Sequence, residues 1–236
     1  MATASATEQL IVSRYPILAT YSDLPRPRAY QRCQAALFDR MAKSIEQQVI
    51  GSWRARLLAS ARGRVLDIAA GTGTNLPHYP RGRDLDLVLL EPRSGMLARA
   101  ARKARALDRA IELRRGRAEV LPFANGSFDT VVFTYALCTV PDPARALQEA
   151  GRVLRPDGRL LLLEHVRAQD PRLARRQDQL APVQRLLSCG CNPNRDTRAT
   201  VEAACFAFDL IEEWVELRFS NSIVRPHLLG VARKGT

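Results

Sequence analysis

The sequence predicts an α/β protein with a doubly wound, mostly parallel sheet and helices on both faces, and three observations support this. Short apolar runs alternate along the chain with longer stretches of helical periodicity. The run at Leu85–Glu91 is nearly continuously apolar, which is typical of a parallel strand covered on both faces. Gly71 and Gly73 follow another apolar run and open a helix, and right-handed crossovers between such units give a parallel sheet.

The chain of 236 residues is expected to form a single domain, because this length supports one core of ordinary size. Residues 1–28 are polar and interrupted by prolines, so we expect an N-terminal arm before a domain at residues 29–236. The domain is expected to open with an amphipathic helix, since apolar residues recur at helical spacing from Ala29 to Val49. Further helices are predicted at Met96–Leu107, Asp142–Leu154 and Arg198–Ala207. Strands are predicted at Val65–Ile68, Leu85–Glu91, Ile111–Leu113, Phe128–Tyr135, Arg159–Glu164, Leu210–Leu217 and His227–Lys234.

The stretch at residues 167–195 interrupts this alternation, with Pro171, Pro182 and Pro193 around a helical middle. An insertion after the fifth strand lies over the carboxyl edge of a parallel sheet, where such folds bind their ligands. We therefore expect this stretch to form a lid over the substrate.

The net charge is +12, and nearly all of the positive charge comes from arginine. One interpretation is an electrostatic footprint for nucleic acid or for an anionic membrane surface. The alternative is a compositional bias towards arginine and alanine, which we favour because the arginines are scattered and not grouped with aromatic residues. Nucleic-acid binding is therefore disfavoured, whereas peripheral contact with an anionic membrane stays open.

The five cysteines have neither the even count nor the spacing of a disulfide framework. Zinc needs about four ligands in paired spacings, and Cys189 and Cys191 have no second pair, so no metal is predicted. No apolar run reaches the roughly 18 residues of a membrane span, and Met1–Leu18 lacks the pattern of a secretory signal. We therefore expect a cytoplasmic enzyme.

The residues around the glycine turn restrict the ligand that it can hold. A dinucleotide fingerprint requires a third glycine where this chain has Leu76, and no Gly-Lys-Ser/Thr of a phosphate loop follows. Asp67, inside the first strand, would repel a pyrophosphate but suits a cation. Together with Glu91 at the end of the second strand, it suits a ligand with an amino group and a ribose diol. S-adenosylmethionine (SAM) has both and also a positive sulfonium, whereas a nicotinamide oxidoreductase is disfavoured.

Four motifs, in order, resemble those of the class I SAM-dependent methyltransferases. They are V-L-D-I-A-A-G-T-G (Val65–Gly73), L-L-E-P (Leu89–Pro92), the stretch Arg117–Val132 and the stretch Val153–Val166. The resemblance implies a Rossmann-like, doubly wound sheet of seven strands that is mostly parallel and ends in an antiparallel C-terminal hairpin. It also implies SAM as the cofactor and methyl transfer as the reaction.

The second half of the chain is similar to a narrower group, the methyltransferase-like thiol methyltransferases of animals and their bacterial relatives. The similar stretches are L-C-T-V-P-D-P (Leu137–Pro143), E-H-V (Glu164–Val166), G-C-N (Gly190–Asn192) and V-R-P-H (Val224–His227). This resemblance implies methylation of a small thiol. Bacterial phospholipid N-methyltransferases share several of these motifs, so a phospholipid or another small N- or O-nucleophile is the alternative acceptor. A basic nucleic-acid-binding protein with a vestigial SAM pocket is the alternative from another class.

The resemblance also assigns roles in cofactor binding. Asp67 and the glycine turn are expected to hold the methionine end of SAM, and Glu91 to accept both ribose hydroxyls, because a carboxylate takes two donors at once. Thr134 is expected to line the sulfonium side. Many relatives carry an aspartate where this chain has Arg117, which cannot accept a hydrogen bond from adenine, so Glu119 is the candidate for that contact. The predicted cofactor residues are Asp67, Ala69, Gly71, Thr72, Gly73, Asn75, Glu91, Pro92, Met96, Ala118, Glu119 and Thr134.

Methyl transfer is an in-line displacement, so the protein mainly has to align the nucleophile and exclude water. A thiol needs only a modest base, because its pKa is about 8.5. His165, at the end of the fifth strand, is the predicted base, with a purely structural role as the alternative. His227 is expected to be structural. The predicted substrate contacts are Tyr30, Tyr135, Cys138 and Cys191.

Overall fold

The structure is a computed structural model that describes residues 45–81 and 84–235. The predicted arm at residues 1–28, most of the predicted helix that follows it, and Tyr30 lie outside these residues. Within them the chain begins with a π-helical segment at Glu46–Ile50, which continues directly into helix α1 at Gly51–Leu58. No helix among the described residues combines the length and the apolar composition that a bilayer crossing requires.

A seven-stranded sheet forms the centre of the described residues. Its strands are β1 (Gly63–Ile68), β2 (Leu85–Leu90), β3 (Glu112–Arg114), β4 (Phe128–Thr134), β5 (Leu154–His165), β6 (Phe206–Val215) and β7 (Pro226–Lys234). They lie in the order β3-β2-β1-β4-β5-β7-β6. The first five strands are parallel, and β7 runs antiparallel between β5 and β6. The predicted mostly parallel sheet and its antiparallel C-terminal hairpin are therefore confirmed.

Helices cover both faces of this sheet, as predicted. Besides α1 they are α2 (Ser94–Ala106), α3 (Pro143–Val153), α4 (Pro171–Leu187) and α5 (Thr197–Ala203). Alternate side chains of β1 enter separate buried clusters: Leu66 and Ile68 pack with α3 and α5, whereas Val65 packs with α1 and α2. Because both faces of the central strands are buried, these strands need apolar residues at nearly every position.

The start of α3 follows the sequence signal, but several other element ends differ from the prediction. Asp142 caps α3 by accepting a hydrogen bond from the backbone N–H three residues later, at 2.9 Å. Helix α5 ends at Ala203 and not at residue 207, because Phe206 already pairs with Lys234 in the sheet. β6 therefore begins earlier than predicted, and so does β5, whose first residue pairs with β4.

The strand order reverses between β1 and β4, because the chain continues from β1 to β2 and β3 on one side and from β4 to β5 on the other. Open α/β sheets bind ligands at the carboxyl ends of the strands beside such a switch point. The residues that directly follow these two strands, Ala69 and Tyr135, have positive φ values of 55° and 53°. Non-glycine residues in this left-handed region cost energy and cluster at functional sites. The fold thus points to a site between the ends of β1 and β4.

Helix α4 occupies the middle of the predicted lid at residues 167–195. Gln177 anchors its inner face and is fully buried. The Gln177 side chain donates to three backbone carbonyls on separate segments at 2.9–3.0 Å and accepts from the Ala168 N–H at 2.8 Å. One side of this helix is therefore fixed to the end of β5, and a role as substrate lid stays a prediction.

Candidate active site

The turn after β1 contains two glycines with different roles. Gly71 and Gly73 have φ values of 57° and 74°. A Cβ on Gly73 would lie 2.8 Å from a methyl group of Leu76 and 3.1 Å from the Cβ of Ala100, so this glycine lets α2 pack closely against the turn. A Cβ on Gly71 would meet, among the described residues, only the Ala69 carbonyl oxygen at 3.9 Å. With respect to the part of the chain that the structure describes, Gly71 therefore borders open space into which a ligand could extend.

Asp67 is buried behind this turn, with 1% of its surface exposed. Its carboxylate accepts hydrogen bonds from the Asn75 amide at 2.9 and 3.1 Å and from the Tyr79 hydroxyl at 3.1 Å. Burial raises the pKa of Asp67 to about 6, although these hydrogen bonds act in the opposite direction. Asn75 also donates to the Thr134 hydroxyl oxygen at 3.0 Å, across the gap between β1 and β4. Asp67 thus fixes the orientation of Asn75. Asn75, and not Asp67, is the side chain that is placed to contact a ligand.

A buried arginine completes this network and is absent from the predicted site residues. Arg54 donates to the Asn75 side-chain oxygen and to Glu46, both at 2.7 Å. Its guanidinium carbon lies 5.3 Å from the centre of the Tyr135 ring, in a cation–π arrangement. A signal for it exists in the sequence, because Arg54 lies on the inward stripe of α1 with two leucines. Arginine is rarely buried unless it is paired, so an arginine on such a stripe indicates a buried partner.

Glu91 joins the end of β2 to the glycine turn. The side chain is fully buried, and its carboxylate accepts the Gly71 N–H at 3.1 Å and the backbone N–H and Nε of Arg93 at 3.1 and 2.9 Å. A carboxylate has about four acceptor sites, so it can serve this turn and a ligand diol together. Of the other residues predicted here, Met96 is buried on α2, and the Pro92 carbonyl accepts from an arginine side chain at 3.0 Å.

The predicted adenine side lies between β3 and β4. Ala118 and Glu119 are buried there, and Thr72 of the glycine turn is buried as well. The Glu119 carboxylate accepts from the Asp142 N–H at 3.4 Å and lies 3.7 Å from the Nε of Arg117. Arg117 is thus paired with the acid that is predicted to replace the missing family aspartate. A contact between Glu119 and adenine stays a prediction.

The site has two halves, which the strand order places side by side. The cofactor half is built around the ends of β1 and β2 and consists of Arg54, Asp67, Gly71, Asn75 and Glu91. The acceptor half is built around the ends of β4 and β5 and consists of Tyr135, Cys138, Glu164, His165, Cys191 and His227. The hydrogen bond between Asn75 and Thr134 connects the two halves.

Glu164 shapes the turn after β4 and is absent from the predicted site residues. It is fully buried, and its carboxylate accepts the backbone N–H groups of Ala136, Leu137 and Cys138 at 2.8, 2.9 and 3.1 Å. Burial raises the pKa of Glu164, and the three backbone hydrogen bonds oppose that rise. The available signal is an acid that directly follows the four leucines at residues 160–163. An acid in a buried strand end requires donors, and here the next turn supplies them.

Three predicted residues from separate parts of the chain meet beside this turn. His165 Nδ1 lies 3.9 Å from Cys138 Sγ and 3.6 Å from Cys191 Sγ, and both cysteines are buried. Cys191 follows α4, and its neighbour Asn192 donates to the Cys138 carbonyl from its backbone and its side chain, at 2.7 and 3.2 Å. The pKa of Cys191 is lowered, because the Cys138 thiol and then His165 stabilise its thiolate. Cys189, two residues before Cys191, interacts with an arginine of the cofactor side instead.

Unpaired polar atoms lie next to this cluster. His227 is fully buried, and its Nδ1 donates to the Arg225 carbonyl at 2.7 Å, while burial and then the nearby His165 lower its pKa to about 3. The rings of Tyr135 and His227 lie 4.5 and 5.0 Å from the His165 ring. Among the described residues, the Tyr135 hydroxyl, His165 Nε2 and His227 Nε2 are buried without a hydrogen-bond partner. Buried polar atoms in proteins are normally paired, so these three favour a polar ligand at this place.

The residues of the cofactor half fit SAM. Glu91 offers a buried carboxylate to a ribose diol, and the space beside Gly71 has room for the chain that links the ribose to the methionine end. Arg54 and Asn75 place polar groups at that end. The acceptor half then follows across the Asn75–Thr134 bond, with the Tyr135 ring and the three unpaired atoms beyond it.

Comparisons with known proteins agree with this geometry. A methyltransferase domain family matches residues 66–162. The human thiol S-methyltransferase TMT1A is 32% identical over 180 residues, which cover 74% of this chain and 72% of that protein. The phosphatidylethanolamine N-methyltransferase of Cereibacter sphaeroides is 34% identical over 128 residues, which cover 53% of this chain and 59% of that protein.

Solved structures share the fold. The crystal structure of a SAM-dependent methyltransferase from Methanosarcina mazei has a TM-score of 0.58 and 21% sequence identity, and the similarity covers 73% of this chain and 92% of that chain. At this identity the likeness concerns the fold alone. The sequence identity to TMT1A over most of the chain decides the family. The chain belongs to the family of SAM-dependent methyltransferases that includes the thiol S-methyltransferase TMT1A.

Proposed function

We propose that this methyltransferase transfers the methyl group of SAM to the sulfur of a small thiol that carries an apolar substituent. The observation that carries the proposal is the lining of the acceptor half, where two buried cysteines and the Tyr135, His165 and His227 rings lie together. Such a lining is polarisable, which suits a sulfur nucleophile. The 32% identity to a thiol S-methyltransferase also supports this acceptor.

The cofactor half positions SAM through Glu91, the open space at Gly71 and the Arg54–Asn75 pair. When bound, SAM supplies a methyl carbon on a sulfonium: the acceptor sulfur forms a new bond to this carbon as the carbon–sulfonium bond breaks, which leaves S-adenosylhomocysteine. Asp67 and Thr134 both accept hydrogen bonds from the Asn75 amide. The Asn75 side chain is therefore held in position before the cofactor binds.

The acceptor half has to align the thiol, exclude water and take up the thiol proton. The turn held by Glu164 places Tyr135 and Cys138 at the end of β4, directly beside the cofactor half. His165 is the predicted base, but its Nδ1 faces the sulfur atoms of Cys138 and Cys191. As a base it would therefore have to act through Nε2, which is buried and unpaired among the described residues.

A phospholipid amine is the second candidate acceptor, and one feature of α4 favours it. The outer face of this helix exposes apolar side chains between arginines, a pattern that is typical of a surface that contacts lipid. The exposed apolar residues are Leu180 (42%), Val183 (54%), Leu186 (66%) and Leu187 (75%). The bacterial relative named as a phosphatidylethanolamine N-methyltransferase agrees with this candidate.

Thermal unfolding with and without ligands tests the cofactor. A ligand at about 100 times its Kd stabilises the folded state by about 2.7 kcal/mol. We expect S-adenosylhomocysteine and SAM to raise the melting temperature and NAD to leave it unchanged. A rise with NAD and none with the other two would overturn the assignment.

A panel of acceptors tests the substrate. The protein is incubated with methyl-labelled SAM and, in separate reactions, alkyl thiols, phosphatidylethanolamine vesicles and phenols. We expect label in the methyl thioethers and only background in the other products. Label in the phospholipid and none in any thiol would replace the first candidate by the second.

A further inference from the structure

Cys138, His165 and Cys191 place two sulfur atoms and one ring nitrogen within 4.8 Å of one another at the end of β5. The three residues come from the turn after β4, the last position of β5 and the segment after α4. We propose that they form a binding site for Zn²⁺, with the fourth coordination position available to the acceptor thiol. The metal site stands on the geometry alone, whereas the identity of the fourth ligand rests on the proposed function.

The distances agree with a tetrahedral ion. With Zn–S and Zn–N bonds of about 2.3 and about 2.05 Å, a tetrahedron holds a sulfur and a nitrogen ligand about 3.6 Å apart and two sulfurs about 3.8 Å apart. The two observed sulfur–nitrogen distances to His165 Nδ1 are 3.6 and 3.9 Å. Two edges of such a tetrahedron are therefore present, and the two sulfur atoms lie within 4.8 Å of each other.

The donor set also suits zinc. Thiolate and imidazole ligands favour Zn²⁺ among the divalent ions common in cells, and two cysteines with one histidine and an open position form a known catalytic arrangement. Cys138 and Cys191 are 0% and 4% exposed, so thiolates at these two positions would be stabilised by a bound cation. The fully buried Glu164 adds negative charge beside Cys138.

The protein holds both cysteines rigidly, as a metal site requires. Glu164 accepts the Cys138 N–H, and Asn192 donates twice to the Cys138 carbonyl. Gly190 has a φ of 99°, and a Cβ there would lie 3.2 Å from the Thr139 carbonyl oxygen, so only glycine lets the Cys191 segment approach this turn so closely. The two sulfur atoms are therefore positioned by backbone contacts and not by their own packing.

The unpaired ring nitrogens become complementary when His165 binds a metal through Nδ1. That coordination leaves the proton of His165 on Nε2, as a donor. His227 gives its Nδ1 proton to the Arg225 carbonyl, which can only accept, so His227 Nε2 is an acceptor. The two rings lie 5.0 Å apart. Their Nε2 atoms are complementary as donor and acceptor but are not hydrogen-bonded to each other in the structure, so an outer partner of this kind would need a small movement of either ring.

A metal here assigns His165 a role other than base. A thiol bound as the fourth ligand loses its proton to solvent when it coordinates the ion. Its sulfur then forms the new bond to the methyl carbon as the carbon–sulfonium bond breaks, so no further proton acceptor is needed. The sequence prediction of no metal considered Cys189 as the partner of Cys191, whereas the fold replaces Cys189 by Cys138 and His165.

Metal analysis of the full chain tests the site without an activity readout. We expect protein purified in zinc-containing buffer to hold about one Zn²⁺ per chain by mass spectrometry of the metal. Cys138→Ser and Cys191→Ser should each lower that content, whereas the matched controls Cys189→Ser and Cys205→Ser should keep it. Co²⁺ added to metal-free protein should give a thiolate charge-transfer band and the intense visible absorption of tetrahedral cobalt.

The outcomes separate the two proposals. Wild-type protein that holds no zinc and shows no cobalt–thiolate band overturns the metal site, and so does a Cys138–Cys191 disulfide found in freshly reduced protein. If such protein still methylates thiols, the proposed function stands without the metal. If zinc is bound through these residues but label enters only phospholipid, the metal site stands and the thiol acceptor fails. A melting temperature that still rises with S-adenosylhomocysteine shows that the serine variants are folded.

Discussion

The cofactor half and the acceptor half lie on the same edge of the sheet, yet they differ in how they are assembled. Asp67, Gly71, Asn75 and Glu91 lie within one strand–turn–helix–strand unit, and their polar atoms are bonded to each other or to Arg54. The acceptor half collects residues from four distant stretches and leaves the Tyr135 hydroxyl and two histidine nitrogens unpaired among the described residues. Among the described residues, the polar side chains of the cofactor half are therefore paired within the protein, whereas several polar atoms of the acceptor half are not.

This difference corresponds to the different tasks that we propose for the two halves. A site that binds one cofactor can be satisfied by local hydrogen bonds, because its ligand is always the same. An acceptor site has to expose groups to a nucleophile and to its departing proton, so some atoms stay unpaired until the ligand arrives. Mutations in the two halves should therefore change different measurements.

Glu91→Ala should have the largest effect on cofactor binding, and it also removes the acceptor of the Gly71 N–H in the glycine turn. It removes two charge-assisted hydrogen bonds to the ribose, at a cost of about 3 kcal/mol, or roughly a 100-fold rise in the Kd of SAM. Isothermal titration calorimetry measures this Kd. Asp209→Asn is the matched control, because the carboxylate of Asp209 on β6 pairs with Arg233 on β7, away from the site. An unchanged Kd in Glu91→Ala would remove Glu91 from the cofactor half.

Glu164→Gln should act on the acceptor half and on stability. An amide cannot accept three backbone N–H groups with one oxygen, so a buried donor is left unpaired at a cost of about 2 kcal/mol in the free energy of unfolding. Urea unfolding measures that loss. We also expect kcat to fall about tenfold, because a misplaced acceptor would raise the activation free energy by about 1.4 kcal/mol. The Kd of SAM should stay nearly constant. A parallel rise in this Kd would show that the two halves are coupled.

Arg54→Met tests the residue that touches both halves. The variant keeps the apolar stem and loses the donors to Asn75 and Glu46 and the charge over Tyr135. We expect the Kd of SAM to rise about tenfold, since a hydrogen bond between a charged and a neutral group contributes roughly 1.5 kcal/mol. Arg56→Met on the same helix removes only an exposed pair with Glu212 and should change little. Equal effects of the two substitutions would contradict a specific role for Arg54.

Asp67 should contribute a pH dependence to the stability of the protein. The pKa of Asp67 is raised from 3.8 to about 6, so the folded state holds a proton in this range that the unfolded state has lost. The contribution of Asp67 to the free energy of unfolding therefore falls as the pH rises from about 4 to about 6. The stability of the wild type relative to Asp67→Asn, measured by urea unfolding across this range, should fall with it. If the difference in the free energy of unfolding between the wild type and Asp67→Asn is constant or rises with pH, the raised pKa of Asp67 is wrong.

Much of the fold could be predicted because its signals are local. The apolar runs of β1 and β2, the glycine turn and the Asp142 cap each depend on a few adjacent residues. The ends of α5 and β6 could not, because the pairing of Phe206 with a strand from the chain end overrides the local helical pattern. Gly73 shows the same limit, since its role is to make room for Ala100 on α2.

The sequence by itself determined the doubly wound sheet and the family, and it predicted the part of the cofactor half that contains Asp67, Gly71 and Glu91, because these residues belong to one contiguous unit whose spacing fixes their positions. Only the tertiary structure decided the acceptor half. Cys138, His165 and Cys191 meet because β4 and β5 pair in parallel and α4 returns the chain over their ends. The paired strands and the buried hydrogen bonds of Glu164 and Gln177 bring the two sulfur atoms to 3.9 and 3.6 Å from His165 Nδ1. The separation of these residues along the sequence does not predict this distance, because it depends on how the strands pair.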